Sequence, residues 1–336
     1  VVFNLSEMQK GSILGAGLYP FALSIIFFSL IVDRLGYGRT MAFAWVAHVV
    51  SAIVTMTATS YAQLYIGTFI FALANGAVEA AINPVTATLY PDRKTHFLNV
   101  LHAGWPGGLV LGGLLAIAAG GLEAEWAWRL KIGLFLIPAI INGWMLLGTR
   151  FPQSERVAAG VSYLDMLKEF GWASCFLCII FVAYALRDVM GVFEFSFPNW
   201  LMAVLILWPT VIFAIKVRSF GRPMFVILLL VMILLATTEL GTDSWIASLL
   251  TPVLADLGGN AGNWVLIYTS AIMFVLRFFA GPIVDRISPL GLLAVCSLIA
   301  CVGLLGLSAS TSAVIVFLAA SIYAMGKTFF WPTTIG

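Results

Sequence analysis

Charge is what this sequence most lacks. Only 10% of its 336 residues are Asp, Glu, Lys or Arg, against 62% hydrophobic, whereas soluble domains carry about 25% charged and about 45–50% apolar residues. Together with a mean hydropathy of +1.05, this excludes a soluble globular domain and identifies a polytopic membrane protein. A net charge of +2, with no basic run, leaves no electrostatic footprint for nucleic acid. Cysteine numbers only four. Cys175, Cys178, Cys296 and Cys301 all sit in apolar runs, which argues against a disulfide framework or an aqueous zinc site and for buried thiols. Neither a cofactor nor a metal is expected. A signal peptide is also missing; the chain opens on Val1 and stops at Gly336 directly after an apolar run, so both ends read as cut.

What is abundant is apolar length. A bilayer core takes roughly 20 apolar residues per helix. Runs of that order predict eleven spans, near 11–32, 41–59, 63–88, 98–121, 130–149, 173–190, 199–215, 223–250, 262–284, 290–308 and 312–335. The weakest is 173–190, whose apolar stretch ends at Leu186 before Arg187 and Asp188. One alternate set of loops holds eleven Lys and Arg residues, from Arg34 to Arg286, and the other only Lys10, Arg129, Lys131 and Arg187. Because cytoplasmic loops retain positive charge, residue 1 starts outside. The longest polar stretch, 150–171, is then cytoplasmic, and Ser162 followed by Asp165 predicts a capped amphipathic helix within it.

Ile31-Val32-Asp33-Arg34 recurs as Ile283-Val284-Asp285-Arg286, 252 residues later and again at the cytoplasmic end of a span. Glu79 stands five residues before Pro84, and Lys327 five before Pro332, an offset of 248. Repeated halves are the plan of many secondary transporters. Here the chain resembles the major facilitator superfamily, whose signature loop is similar to Ser29–Arg39, with Asp33, Arg34, Gly36 and Arg39, and to Gly281–Arg286, with Asp285 and Arg286. Ser29 replaces the leading glycine of the first copy, and Ser288 stands where the second would have its later glycine. The implied fold is all-α and polytopic, two pseudo-symmetric helical bundles truncated at both ends.

Within that superfamily, the stretch from Asn75 through Glu79 to Pro84, followed by 99–108, resembles the fucose/proton symporters and related sugar transporters. The resemblance implies proton coupling at Glu79 and sugar contact at Asn99 or His102. It also implies that the chain holds family helices two to ten, lacking the first and the last two. Residues 1–149 then form the N-terminal bundle, 150–172 a linker, 173–221 an additional transmembrane hairpin, and 222–336 the C-terminal bundle.

Asn75, Glu79 and Asn83 repeat at four-residue spacing, a polar stripe on one helical face. Such a stripe within lipid must face protein or a cavity. Structural hydrogen bonding between helices is the plain alternative for the asparagines, which are also substrate-binding candidates. Lys327, at the matching position of the other half, is the expected cation for Glu79 and also a substrate-binding candidate. Asn99, His102 and Trp105 follow at three-residue spacing, setting an amide, an imidazole and an indole along one face, as a sugar would need; packing and capping would use the same residues. Glu239 and Asp243 share a face, Glu239 as a second proton-coupling candidate and Asp243 as a substrate contact or an interfacial acid. Arg277 either touches substrate or, the preferred reading, snorkels inward to neutralise Asp285. His48, alone in its span, reads as a packing residue. Gly104, Gly108 and Gly112 form a small-residue track suited to close helix packing.

The leading expectation is a proton-coupled sugar symporter acting as a monomer by alternating access in a bacterial cytoplasmic membrane. The same fold moving an organic anion is the alternative, favoured by cavity-facing cations, for which only Arg277 and Lys327 qualify. A membrane sensor or scaffold would want a sizeable soluble domain, and none is visible. An embedded enzyme would want a nucleophile with its base, or a metal cluster, and none is present.

Overall fold

A computed structural model describes residues 3–119 and 126–335, and among these no β-strand occurs. The helices are α1 (Glu7–Leu35), α2 (Tyr37–Met56), α3 (Tyr61–Leu89), α4 (Lys94–His102), α5 (Gly104–Ala118), α6 (Ala127–Gly133), α7 (Leu136–Leu146), the short α8 (Glu155–Ala158), α9 (Tyr163–Val192), α10 (Asn199–Val217), α11 (Pro223–Leu250), α12 (Ala261–Arg277), α13 (Ala280–Val284), α14 (Pro289–Ser308), α15 (Ala313–Lys327) and α16 (Phe330–Ile335). Ten segments are long and apolar enough to cross a membrane, counting α4 with α5, α6 with α7 and α15 with α16. The eleventh expected span corresponds to α12, a shorter apolar helix, with α13 after a break. The far end of the span expected at 98–121 lies outside the described residues.

A proline follows each of these breaks. A proline supplies no N–H to the carbonyl four residues earlier, and its ring crowds that carbonyl. Interruption falls at Ala103 before Pro106, at Leu134–Phe135 before Pro138, at Phe278–Phe279 before Pro282, and at Thr328–Phe329 before Pro332. Spans expected as single helices at 98–121, 130–149, 262–284 and 312–335 are therefore broken ones. Proline alone is not sufficient, since Pro20, Pro84 and Pro209 lie inside continuous helices.

Burial is inverted relative to a soluble protein. Ala44, Ala72 and Ala77 are 0% exposed while Trp144 and Leu147 are 74% and 77% exposed. Lipid solvates large apolar side chains as well as a protein interior does, so helices associate through close packing of small residues. At the α14–α15 crossing, a Cβ on Gly303 would lie 2.4 Å from the Tyr323 nitrogen, and one on Gly326 would lie 2.3 Å from the Ala300 nitrogen.

The chain divides into two compact units, Val1–Thr88 with Ala124–Ile227, and Leu89–Glu123 with Leu228–Gly336. The first holds α1–α3, α6–α10 and the start of α11. Its core sits around Phe28, Ala77 and Ala80, with Val32, Tyr37 and Met41 nearer the α1–α2 turn. The second holds α4, α5 and α12–α16 with most of α11. Its core gathers Leu292, Cys296, Tyr323 and Phe330 in one cluster and Ile246, Val265 and Val316 in another. Leu89–Glu123 thus packs with the later helices, although in sequence it belongs to the expected N-terminal stretch.

The polar stretch before 173 is continuous with the following span. Ser162 caps α9, its hydroxyl accepting from the Asp165 N–H, as its sequence signature predicts. Gly171 interrupts α9 at φ +67°, and Gly221 opposite has φ +108°. The two backbones touch: a Cβ on Gly171 would lie 2.1 Å from the Gly221 nitrogen, and the Trp172 N–H donates to the Ser219 carbonyl at 2.9 Å. Of the cysteines, Cys175, Cys178 and Cys296 are buried and Cys301 is exposed, a departure from the expectation of four buried thiols.

Candidate functional site

In the first unit the stripe on α3 is hydrogen-bonded along its length. Asn83 Nδ2 donates to Glu79 Oε2 at 2.7 Å, and Asn75 Oδ1 lies 2.9 Å from His48 Nε2 on α2. His48 packs against the rings of Phe71 and Phe135, each 5.6 Å from it. His48 therefore both packs and bonds, and it holds Asn75 in place.

The first signature loop closes α1. Gly36 takes φ +80°, a conformation glycine adopts without a Cβ penalty, and its carbonyl accepts from the Thr40 hydroxyl at 3.1 Å. Asp33 is ion-paired with Arg156 of α8, and the Arg34 guanidinium sits 5.2 Å above the Tyr163 ring. Arg39 is exposed. A cavity of about 530 Å³ opens here, lined by Asp33, Arg34, Gly36, Arg39 and Ser154 among others. The second copy, in the other unit, is built differently. Asp285 and Arg286 are exposed, and Gly281 lets the Arg93 and His96 side chains approach to within about 3 Å of where its Cβ would be.

The second unit buries four charges. Arg277 is 1% exposed and Lys327 0%. Arg277 Nη2 lies 3.3 Å from Glu239 Oε1, and Lys327 is ion-paired with Asp243. Both acids come from α11, one turn apart, and the cations from α12 and α15. The Lys327 ammonium also lies 5.0 Å from the Tyr323 ring centroid, and the Tyr323 hydroxyl donates to the Thr238 carbonyl at 2.9 Å. Burying a lone ion costs several kcal/mol, so buried charges are found paired.

These pairings bear on three expectations. Lys327, expected opposite Glu79, is ion-paired within its own unit with Asp243 of α11. Arg277 does not snorkel to Asp285; Asp285 is exposed, while the guanidinium is buried and bonded elsewhere. Asp243, expected as a substrate contact or an interfacial acid, has a side chain only 9% exposed and ion-paired with Lys327.

Arg277 also repairs two of the proline breaks. Pro106 leaves the His102 carbonyl, four residues back, without its helical donor, and Pro332 does the same to Thr328. Arg277 Nη1 donates to the His102 carbonyl and Nε to the Thr328 carbonyl at 2.9 Å. A guanidinium, with donors in a fixed planar fork, can serve two carbonyls and a carboxylate together.

Asn99, His102 and Trp105 do not share one environment, although Ala103 between them keeps helical geometry. Asn99 and His102 are buried, whereas Trp105 is 43% exposed. Asn99 Nδ2 donates to the Thr95 carbonyl at 2.8 Å. The glycine track is likewise displaced. A Cβ on Gly104, Gly108 or Gly112 would meet nothing within 4 Å, whereas Gly107 and Gly113 abut Phe274 and Ile267 of α12.

Sequence reasoning missed Arg156 as the partner of Asp33, for which no local signal exists. It also missed Arg277 as a bridge, for which the prolines four residues after His102 and Thr328 were a usable signal.

A gentisate transporter of Corynebacterium glutamicum is 27% identical over 144 residues, 42% of this chain and 32% of that protein. The match thus spans about a third of that relative's length. The family model of the Major Facilitator Superfamily matches residues 2–336, in keeping with the membrane-length helices and the buried intramembrane charges. The chain belongs to the Major Facilitator Superfamily and is an integral membrane protein.

Proposed function

We propose that this protein couples the movement of small organic anions to protons, working by alternating access as a monomer in a bacterial cytoplasmic membrane. The observation that carries the reading is the pair of buried cations, Arg277 and Lys327, each matched by a carboxylate on α11. Such a cluster is neutral, and it stays neutral if an incoming carboxylate displaces an internal one that has taken up a proton. That exchange links one anion to one proton without leaving an unpaired buried charge. The similarity to a gentisate transporter, which by its name carries an aromatic carboxylate, supports the same class.

Proton-coupled sugar symport is the second reading. The Asn75–Glu79–Asn83 stripe favours it, with one carboxylate and two amides on a helical face. The divided positions of Asn99, His102 and Trp105 weigh against it. The test is uptake into proteoliposomes containing the complete protein, with radiolabelled gentisate, benzoate and a panel of hexoses and deoxyhexoses, with and without an inward proton gradient. The anion reading expects gradient-stimulated accumulation of a carboxylate. Gradient-stimulated sugar uptake with inert carboxylates would replace it by the second reading.

A further inference from the structure

The two buried ion pairs of the second unit are built unlike one another. Resting on the organic-anion reading, the geometry points to a division of labour. Lys327 and Asp243 form the exchangeable site, Lys327 taking the substrate carboxylate and Asp243 the proton, while Arg277 and Glu239 act as a fixed clamp on the broken helices.

Arg277 is committed. It donates to the His102 and Thr328 carbonyls as well as to Glu239, and both carbonyls were deprived of helical donors by Pro106 and Pro332. A substrate that drew Arg277 away would take a charged donor from two carbonyls on two separate helix breaks as well as from Glu239. The guanidinium therefore cannot be released and recaptured once per cycle.

Lys327 is held loosely by comparison. It closes α15, its ion-pair partner is the single carboxylate of Asp243, and the face of the Tyr323 ring lies beside the ammonium. An ammonium is a point charge with rotatable donors, so exchanging one carboxylate for another needs no refitting. Asp243 is correspondingly unsaturated. Its Oδ2 is buried and, among the described residues, has no hydrogen-bond partner, although its side chain is nine-tenths buried. A carboxylate serving only as a counter-ion would have both oxygens satisfied; the open oxygen is where a proton adds.

The step balances. One substrate carboxylate and one proton enter; the proton bonds to Asp243 Oδ2, and the ammonium's ion pair passes from Asp243 to the substrate. Local charge is zero before and after. The other groups facing Asp243 are Tyr323 on α15 and Glu239 one turn back on α11; Glu239 is itself paired with Arg277 of α12. With Arg277 committed, the site has one free-to-exchange cation, so it selects monocarboxylates over dicarboxylates.

The experiment uses the complete protein in proteoliposomes, with labelled gentisate in two modes, gradient-driven accumulation and substrate exchange without a gradient. Asp243→Asn should lower accumulation at least about tenfold while exchange continues, the signature of lost proton coupling. Lys327→Met combined with Asp243→Asn, which removes both charges together and spares the fold an unpaired ion, should lower exchange by at least about thirtyfold. Arg277→Lys should lower the thermal midpoint and slow both modes, with its remaining accumulation still dependent on the gradient. Benzoate should compete with gentisate and succinate should not. The assignment is overturned if Glu239→Gln uncouples and Asp243→Asn does not, or if the Lys327/Asp243 double variant exchanges normally. Wild-type protein that moves no carboxylate would instead overturn the anion reading itself.

Discussion

Arg277 and Pro332 should be energetically coupled, because one supplies the hydrogen bond that the other removes. Arg277→Met leaves Glu239 buried without its cation, a loss of about 3–5 kcal/mol, and takes the donors from the His102 and Thr328 carbonyls. Each buried carbonyl so abandoned costs about 1–3 kcal/mol. Pro332→Ala returns a backbone N–H four residues after Thr328, where an α-helix would place its donor. In that background the loss on Arg277→Met should therefore shrink by about 1–2 kcal/mol, one carbonyl being satisfied from within its own helix. At about 2–4 °C per kcal/mol for a unit of this size, the difference amounts to roughly 2–8 °C in thermal midpoint. The buried thiols Cys175, Cys178 and Cys296 make a thiol-reactive dye a suitable reporter of unfolding in detergent. Pro289→Ala is the control: Pro289 sits at the first position of α14, where a missing N–H is no loss. Additivity of Arg277→Met and Pro332→Ala to within about 0.5 kcal/mol would refute the bridging role.

The α14–α15 crossing should be far less tolerant than the expected glycine track. Gly326→Ala should cost about 1–3 kcal/mol, since a Cβ there collides with backbone, whereas Gly108→Ala should be neutral or stabilising by up to about 1 kcal/mol; thermal midpoints in the reverse order would refute the packing described. Gly171→Ala should reduce the monodisperse fraction on size-exclusion chromatography sharply, because it meets both a positive φ and the Gly221 backbone, and wild-type behaviour would sink that reading. Asp33 and Arg156 should show a coupling of about 1 kcal/mol in a double-mutant cycle with Asp33→Asn and Arg156→Gln, modest because Arg156 is partly exposed. A coupling below about 0.3 kcal/mol would make the pair incidental.

Much of the architecture was legible because the bilayer imposes it. Hydropathy alone located every apolar segment, including the weak one at 173–190, and a Ser-x-x-Asp pattern located the cap of α9. What failed was the assumption that a long apolar run is one helix. Pro106, Pro138, Pro282 and Pro332 were visible in the runs they interrupt, but Pro20, Pro84 and Pro209 sit in helices that continue through them. A proline vacates a carbonyl whether the helix breaks or continues, and the replacement donor need not be local. At His102 and Thr328 that donor comes from Arg277, far away in sequence. The glycine track failed for a related reason. Spacing identifies residues on a common face, and Gly104, Gly108 and Gly112 do share one; only packing tells whether that face meets another helix, and here Gly107 and Gly113 meet it instead.

The buried charges show where sequence reading stops and why. Counting was sufficient to find them, since Arg277, Lys327 and Glu239 stand out in runs that otherwise exclude charge. Pairing was not, because internal symmetry suggested Lys327 with Glu79, whereas its ion pair is with Asp243 of α11. The distinction bears on mechanism. A cation neutralised within its own unit has its charge balance set there, so whatever perturbs it must arrive as a compensated charge, a carboxylate with a proton. A neutral sugar brings no charge to exchange and would leave both pairs intact. Two cations kept in low dielectric, one of them beside a carboxylate oxygen with no partner among the described residues, thus support the proposal of an anionic cargo over a neutral one.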